Sequence, residues 1–488
     1  MSEGTGSVAA AGPADTPPAP QIEWSPRPQW PGSAMRDLIV VANRLPLTAS
    51  GDDRCPWVPS PGGLIGAVWP ALRRSGGTWV GWPGAPGPVE LPEVLDGVAI
   101  EPVELSPADY EQYYEGFSNA TLWPLYHDAI QTPVYEPAWW GPYQAVNERF
   151  ADAIARIAAP NATVWIQDYH LQLVPKLLRE RRRDLRILFF LHIPFPPPEL
   201  FRRLPWRRAV LDGVLGADLV GFQTAPDMSN FVRSARMFGR AAGRAPVLEL
   251  DDSRTVRVGA FPVTIDHGTF QRLAHDPLVL ARSRAIREEL GSPKTVLLGV
   301  DRLDYTKGID LRLQAVGELL REGVLQVPDH VTVQIAVPTR GEVAAYVDLR
   351  DHVERLVGTI NGEVATMGQP AVHYLHRSLP LDELVALYLA ADVLLVTPLR
   401  DGMNLVAKEY VASRTDDTGA LVLSEFAGAA HELRAAHLVN PHDIDSLKLA
   451  ITRAVNGDGE RPRMRRMRRV VLQRDVRDWA NSMLSALP

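Results

Sequence analysis

The residues of this chain best placed to do chemistry stand where apolar runs stop. In Ala391 to Val411, ADVLLVTPLRDGMNLVAKEYV, an apolar strand runs into Arg400-Asp401-Gly402-Met403-Asn404 and then directly into a helix. A loop of this kind offers a polar ligand a carboxylate, backbone that glycine lets approach closely, and the free N–H groups and positive dipole end of a new helix. Glu409 follows Leu405 by four residues, so it returns on the same helical face toward a second part of that ligand. An Asp-Gly turn alone is more often only a turn. Here, however, the arrangement recurs. LIVVAN leads to Arg44, VWIQ to Asp168, RILFFL to His192, TVLLGV to Arg302 and Lys307, VTVQIAVPT to Arg340, and DVLLVTP to Arg400 and Asp401.

Arg302 and Lys307 lie five apart in DRLDYTKGID, across a strand end and its loop. Both could reach one diphosphate, the arginine as a bidentate fork and the lysine as a point charge. The competing reading pairs Arg302 with Asp301 or Asp304 at the surface. Gly62-Gly63 opens a helix with apolar residues at Leu64, Val68 and Leu72, a turn whose amides could cradle a phosphate or sugar. Walker, dinucleotide and HExxH motifs are missing, the histidines are scattered, and no acidic cluster follows a strand where Mg²⁺ would be held. Asp443 and Asp445 in HDID follow Asn440-Pro441 and read as a turn or helix cap.

The elements that must position these groups are apolar runs too continuous for half-exposed strands, which reads as parallel strands buried on both faces. From Asp37 they alternate with amphipathic helices to about Asp266; FPVTID, residues 261–266, is the crossover to a second α/β unit beginning at TVLLGV. Open parallel sheets bind ligands at the carboxyl ends of their strands, so two facing sheets make one cleft lined by Arg, Lys, His and Asp. The expected division is a disordered leader at 1–34, units at 35–265 and 266–460, and a basic C-terminal helix at 461–488 packing back toward the first unit.

Composition sets limits. The 488 residues suit two or three domains, and 46% hydrophobic content supplies their cores. A net charge of −7 argues against non-specific nucleic-acid binding, so an anionic ligand must be held by locally placed cations. The single cysteine, Cys55, excludes an intramolecular disulfide and a cysteine-based metal site. With no apolar run of membrane-spanning length, the chain reads as cytoplasmic.

VVANRLP, GTWVGWPG, YYEGFSNATLWPL, WIQDYHLQLVP, FFLHIPFPPPELF, VDRLDYTKG, PTRGEV, TPLRDGMNLVAKEYV and SEFAGAAHEL, in this order, closely resemble the trehalose-6-phosphate synthase family over about residues 37–480. The resemblance implies a GT-B glycosyltransferase: two Rossmann-like domains around a cleft, moving glucose from a nucleotide sugar to glucose 6-phosphate with retention and no metal. It implies no cofactor, nucleoside-diphosphate glucose as co-substrate, no nucleic-acid or membrane partner, and leaves a homodimer or homotetramer open. By the same resemblance Arg44, Tyr114, Trp123 and Arg340 form the acceptor pocket, with Trp82 nearby. Asp168 receives acceptor hydroxyls, and His192 lies beside the transferred glucose. Gly62 and Gly63 close over the donor, and Arg302 with Lys307 grips its diphosphate. Asp401 and the amides of Gly402, Met403 and Asn404 hold the donor glucose, while Leu405, Val406 and Glu409 meet diphosphate and ribose. HYLHRSLP, residues 373–380, matches the nucleobase loop with Leu379 in it, and leaves uridine, guanosine and adenosine open. A pseudo-glycosyltransferase acting on cyclitols and a catalytically silent sugar-phosphate sensor are the alternatives.

Overall fold

The structure is a computed structural model that describes residues 36–49, 57–59, 76–85, 90–339, 343–457 and 459–488, with isolated positions between 65 and 87. Ten strands form the first sheet; in spatial order they begin at residues 241, 247, 255, 219, 186, 158, 36, 78, 98 and 94. Six form the second, beginning at 372, 330, 295, 393, 420 and 437. The second sheet is parallel throughout, and the first is antiparallel only at its two edges. The apolar runs behave as double-sided burial requires: Val393–Val396 is buried at every position, and in Arg186–Leu191 only the first residue is exposed.

Strand order explains why the charged groups converge. In the first sheet the chain starts at the centre with Arg36–Arg44, builds outward through 78 and 98, then returns to the other side at 158. Arg36–Arg44 and Ala158–Gln167 are neighbours whose connections leave in opposite directions. The second sheet repeats the device, with Thr295–Arg302 beside Val393–Val396. A crevice opens at the carboxyl ends of such neighbours because no connection covers them. Arg44 and Asp168 flank one crevice, and Arg302, Lys307 and Asp401 the other.

The basic tail departs from the expectation of one helix. Glu460–Val471 and Val476–Ser485 are separate helices, broken where Asp475 accepts from the N–H groups of Arg477 and Asp478 while the Asp478 side chain accepts from the N–H of Asp475. This capping box starts a new helix axis. Trp479 on the second helix packs on Trp165 and Phe190 of the first sheet, and its indole N–H donates to Phe261 O. Among the described residues no helix is long and apolar enough to cross a membrane.

Candidate active site

Asp168 follows its strand directly with φ 71 and ψ 171, a conformation that costs a non-glycine residue about 1–3 kcal/mol. Two hydrogen bonds hold it there: its N–H donates to Phe190 O at 2.8 Å, and its Oδ1 accepts from the His192 N–H at 3.2 Å. Asn404 repeats the pattern in the other half with φ 76, capping the helix Leu405–Ser413 through the Ala407 N–H and donating from Nδ2 to Asp401 Oδ2 at 3.1 Å. Backbone strain is thus stored at both crevices.

Lys307 Nζ stands 2.6 Å from Asp401 Oδ2, both side chains largely buried. Burial pushes the Asp401 carboxyl up, but Lys307, with smaller contributions from His127 and Asn404, more than offsets this and holds it below the usual carboxylate range. Arg302 is looser. It lies 3.8 Å from Asp304, is 44% exposed, and rests over the Trp123 ring at 5.2 Å. The sequence reading gave the two cations equal standing; the structure makes Lys307 the fixed partner of Asp401 and leaves Arg302 able to swing.

The loop 401–404 is wedged between two backbones. A Cβ on Gly402 would stand 2.1 Å from His192 O, and one on Gly428 would stand 2.0 Å from Gly402 O. Gly402 therefore lets the second half touch the first, a role different from the expected approach to ligand. Arg400 also differs from its reading as a cleft cation: it pairs with Asp128 at 3.3 Å and Asp227 at 3.4 Å, joining the halves beside the cleft.

On the first half, Tyr110–Leu122 winds as a π-helix, a form frequent at functional sites. It stacks Tyr114 on Tyr110 and His170. Arg44 rests against two neighbouring aromatic rings, 4.8 Å from Trp82 and 5.6 Å from Tyr114. Trp82 itself is fully buried, with its indole N–H on Ala85 O, so it supports Arg44 from behind rather than facing a ligand. Trp123 is nearly buried too and presents its face to Arg302.

A cavity of about 850 Å³ is lined by Arg44, Tyr114, Arg302, Tyr346, Leu379 and Val406. It adjoins one of about 290 Å³ lined by His192, Lys307, Asp401, Met403, Leu405 and Glu409, and Arg302 and Val406 belong to both. One cleft therefore gathers Arg44, Tyr114 and His192 of the first half with Arg302, Lys307, Asp401, Asn404 and Glu409 of the second, while Trp82, Trp123, Asp168 and Gly402 line neither cavity. Gly62, Gly63 and Arg340 lie outside the described residues. Among the described residues no group of three or more His, Cys, Asp or Glu could hold a metal ion.

Burial lifts the Glu409 carboxyl to about 7, while the Tyr388 hydroxyl donating to it at 2.9 Å works the other way. An acid whose folded value exceeds its unfolded one keeps its proton longer in the native state, so its contribution is complete below about 4.5 and lost as pH rises through about 7. The ligand-free protein should lose roughly 2–3 kcal/mol across that window. Urea midpoints at acid and neutral pH test this; an equal slope in Glu409→Gln would assign the effect elsewhere.

Sequence reasoning placed Asp304 at the surface as a partner of Arg302 and missed His127 altogether. Asp304 is fully buried and its Oδ1 accepts from the N–H and hydroxyl of Thr306, a D-x-T spacing visible in the sequence. His127, with Nδ1 2.8 Å from Trp123 O, is driven to about 3 by burial and also feels the charges of Asp304, Lys307 and Asp401. No local signal announces it.

A profile of glycosyltransferase family 20 matches residues 36–488. Trehalose-6-phosphate synthase of Mycobacterium tuberculosis is 55% identical over 471 residues, covering 92% of this chain and 94% of the relative. That of Mycolicibacterium smegmatis is 55% identical, covering 93% of each. Among solved structures, a UDP-forming α,α-trehalose-phosphate synthase from Burkholderia xenovorans in complex with glucose 6-phosphate superposes with TM-score 0.85 at 35% identity, over 92% of this chain and 99% of the other. A trehalose-6-phosphate protein from E. coli bound with UDP-2-fluoro glucose gives 0.84 at 35%, over 92% and 98%. With two mainly parallel sheets opening on one cleft, a strained residue beside each crevice, Asp168 in one half and Asn404 in the other, and these relatives along nearly its whole length, the chain belongs to glycosyltransferase family 20, has the GT-B fold, and stands among trehalose-6-phosphate synthases.

Proposed function

We propose that this enzyme moves glucose from UDP-glucose to glucose 6-phosphate with retention, giving trehalose 6-phosphate, and that Lys307 and Arg302 stabilise the departing diphosphate. The carrying observation is the Lys307–Asp401 pair seated at the second crevice while Gly402 rests on the His192 carbonyl of the first. A nucleoside diphosphate leaves with added negative charge, so cations aimed at its phosphates lower the barrier most. A carboxylate nucleophile under the anomeric carbon is the alternative. Asp401 is engaged by Lys307 and Asn404, and Asp168 by the His192 N–H. This supports attack on the same face, with the acceptor hydroxyl passing its proton to the leaving phosphate oxygen.

Asp401 and the amides after it hold the glucose hydroxyls in this reading, and Glu409 the ribose. Arg44, Tyr114 and Arg340 take the acceptor phosphate. Uridine is favoured by the UDP-forming B. xenovorans enzyme and by the UDP-2-fluoro glucose bound in the E. coli protein. UDP-, GDP- and ADP-glucose, each with glucose 6-phosphate and excess EDTA, should separate the donors. The expected result is nucleoside diphosphate release fastest from UDP-glucose, an α,α-linked product by NMR, and no loss on chelation. A β-linked product, or turnover abolished by EDTA and restored by one divalent ion, overturns the mechanism.

Arg44→Ala should raise the acceptor KM at least 30-fold, or about 2 kcal/mol, with little change in donor KM, because a partly buried charged donor to phosphate is removed. Steady-state kinetics on both substrates check it; an unchanged acceptor KM withdraws Arg44 from the acceptor pocket.

A further inference from the structure

His192 has a partner that none of the foregoing roles includes. Gln167 ends the strand Ala158–Gln167, one residue before Asp168, and is completely buried. Its Oε1 lies 2.9 Å from His192 Nε2. With the amide in this orientation its oxygen accepts, and the ring nitrogen facing it carries the hydrogen. We propose that Gln167 is a positioning residue that holds the neutral His192 ring in a single tautomer, with Nε2–H donating to the amide and Nδ1 left as a lone-pair acceptor. This rests on the glucosyl transfer proposed above and adds a residue to it.

Stability does not account for the glutamine. Its own NH₂ group meets no acceptor among the described residues, a standing cost for a buried donor. Methionine would fill the same volume without that cost. What the amide supplies is a hydrogen-bond partner without charge. The ring is otherwise fixed by packing: Phe190 stands edge-on at 4.7 Å, Trp479 lies at 6.3 Å, and the His192 carbonyl is pressed against Gly402.

The charged groups around the ring make its neutrality matter. Arg302, Lys307 and Asp401 share its cavity from the second half, and Asp168 binds its backbone N–H from the first. An imidazolium there would compete with Lys307 for Asp401 and would lose the Nδ1 acceptor. Burial already drives the ring to about 3. A carboxylate at position 167 would reverse this by stabilising the cation.

The test compares wild type with Gln167→Glu and Gln167→Met. It follows the His192 ring by ¹⁵N NMR, assigned by loss of the signal in His192→Asn, and kcat and KM for UDP-glucose and glucose 6-phosphate across about pH 5.5 to 8.5. Wild type should show one Nε2–H tautomer and no ring titration. Gln167→Glu should bring a titration into that window, with kcat falling roughly tenfold as pH drops through it and both KM values steady. Gln167→Met should keep the ring neutral, mix its tautomers, and lower kcat several-fold at every pH. A Gln167→Glu profile parallel to wild type overturns the proposal. Should that variant fail to fold, Gln167→Met with a single tautomer and unchanged kcat overturns it as well. The ring spectra need no turnover, so failure of the transfer reaction itself is told apart from failure of this assignment.

Discussion

Lys307→Ala should lower kcat by about 10² to 10³, or roughly 3–4 kcal/mol, at saturating donor, while the KM for glucose 6-phosphate stays near its starting value. Two losses combine. The departing diphosphate loses a cation held in place before substrate arrives, because Lys307 is only 10% exposed and fixed 2.6 Å from Asp401. Asp401 then loses the counterion that kept it ionised in spite of burial. Arg302→Ala should cost less, since that side chain is 44% exposed and held mainly by the Trp123 face. Lys307→Arg should not rescue, because a planar fork does not fit where an ammonium makes so close a contact. Thermal melts show whether each variant is folded. A folded Lys307→Ala enzyme within tenfold of wild type would falsify the leaving-group role.

Gly402→Ala should reduce kcat by about 10² with each half still folded. The added Cβ would meet His192 O at 2.1 Å and Ile193 Cα at 3.1 Å, so the halves must separate on the order of 1 Å. That displacement falls between the two crevices, where the sugar and its acceptor have to meet. Each half has its own buried sheet, so the melting temperature should move far less than the rate does. Gly141→Ala serves as the control: a Cβ there touches nothing within 4 Å, and activity should be unchanged. If Gly402→Ala keeps more than about a third of wild-type kcat, the close approach does not govern catalysis.

The sequence by itself determined the strand ends. A parallel strand covered on both faces must be apolar throughout, so its last polar neighbour marks the carboxyl end, and Arg44, Asp168, His192, Arg302, Lys307 and Asp401 were all legible for that reason. The break in the tail was also written locally, as Asp475 with Asp478 three residues on, although the run of arginines masked it. Which of these charges meet was not legible. Arg400 and Asp227 pair across 173 positions, and Trp82 passes from expected ligand contact to a buried support under Arg44. His192 and Gln167 sit 25 apart at the ends of adjacent strands, and their pairing depends on sheet order and register. Periodicity reports only how one segment faces its surroundings; the partner of a buried polar group is chosen by how distant segments pack, because only there does an unpaired charge become costly enough to select one arrangement.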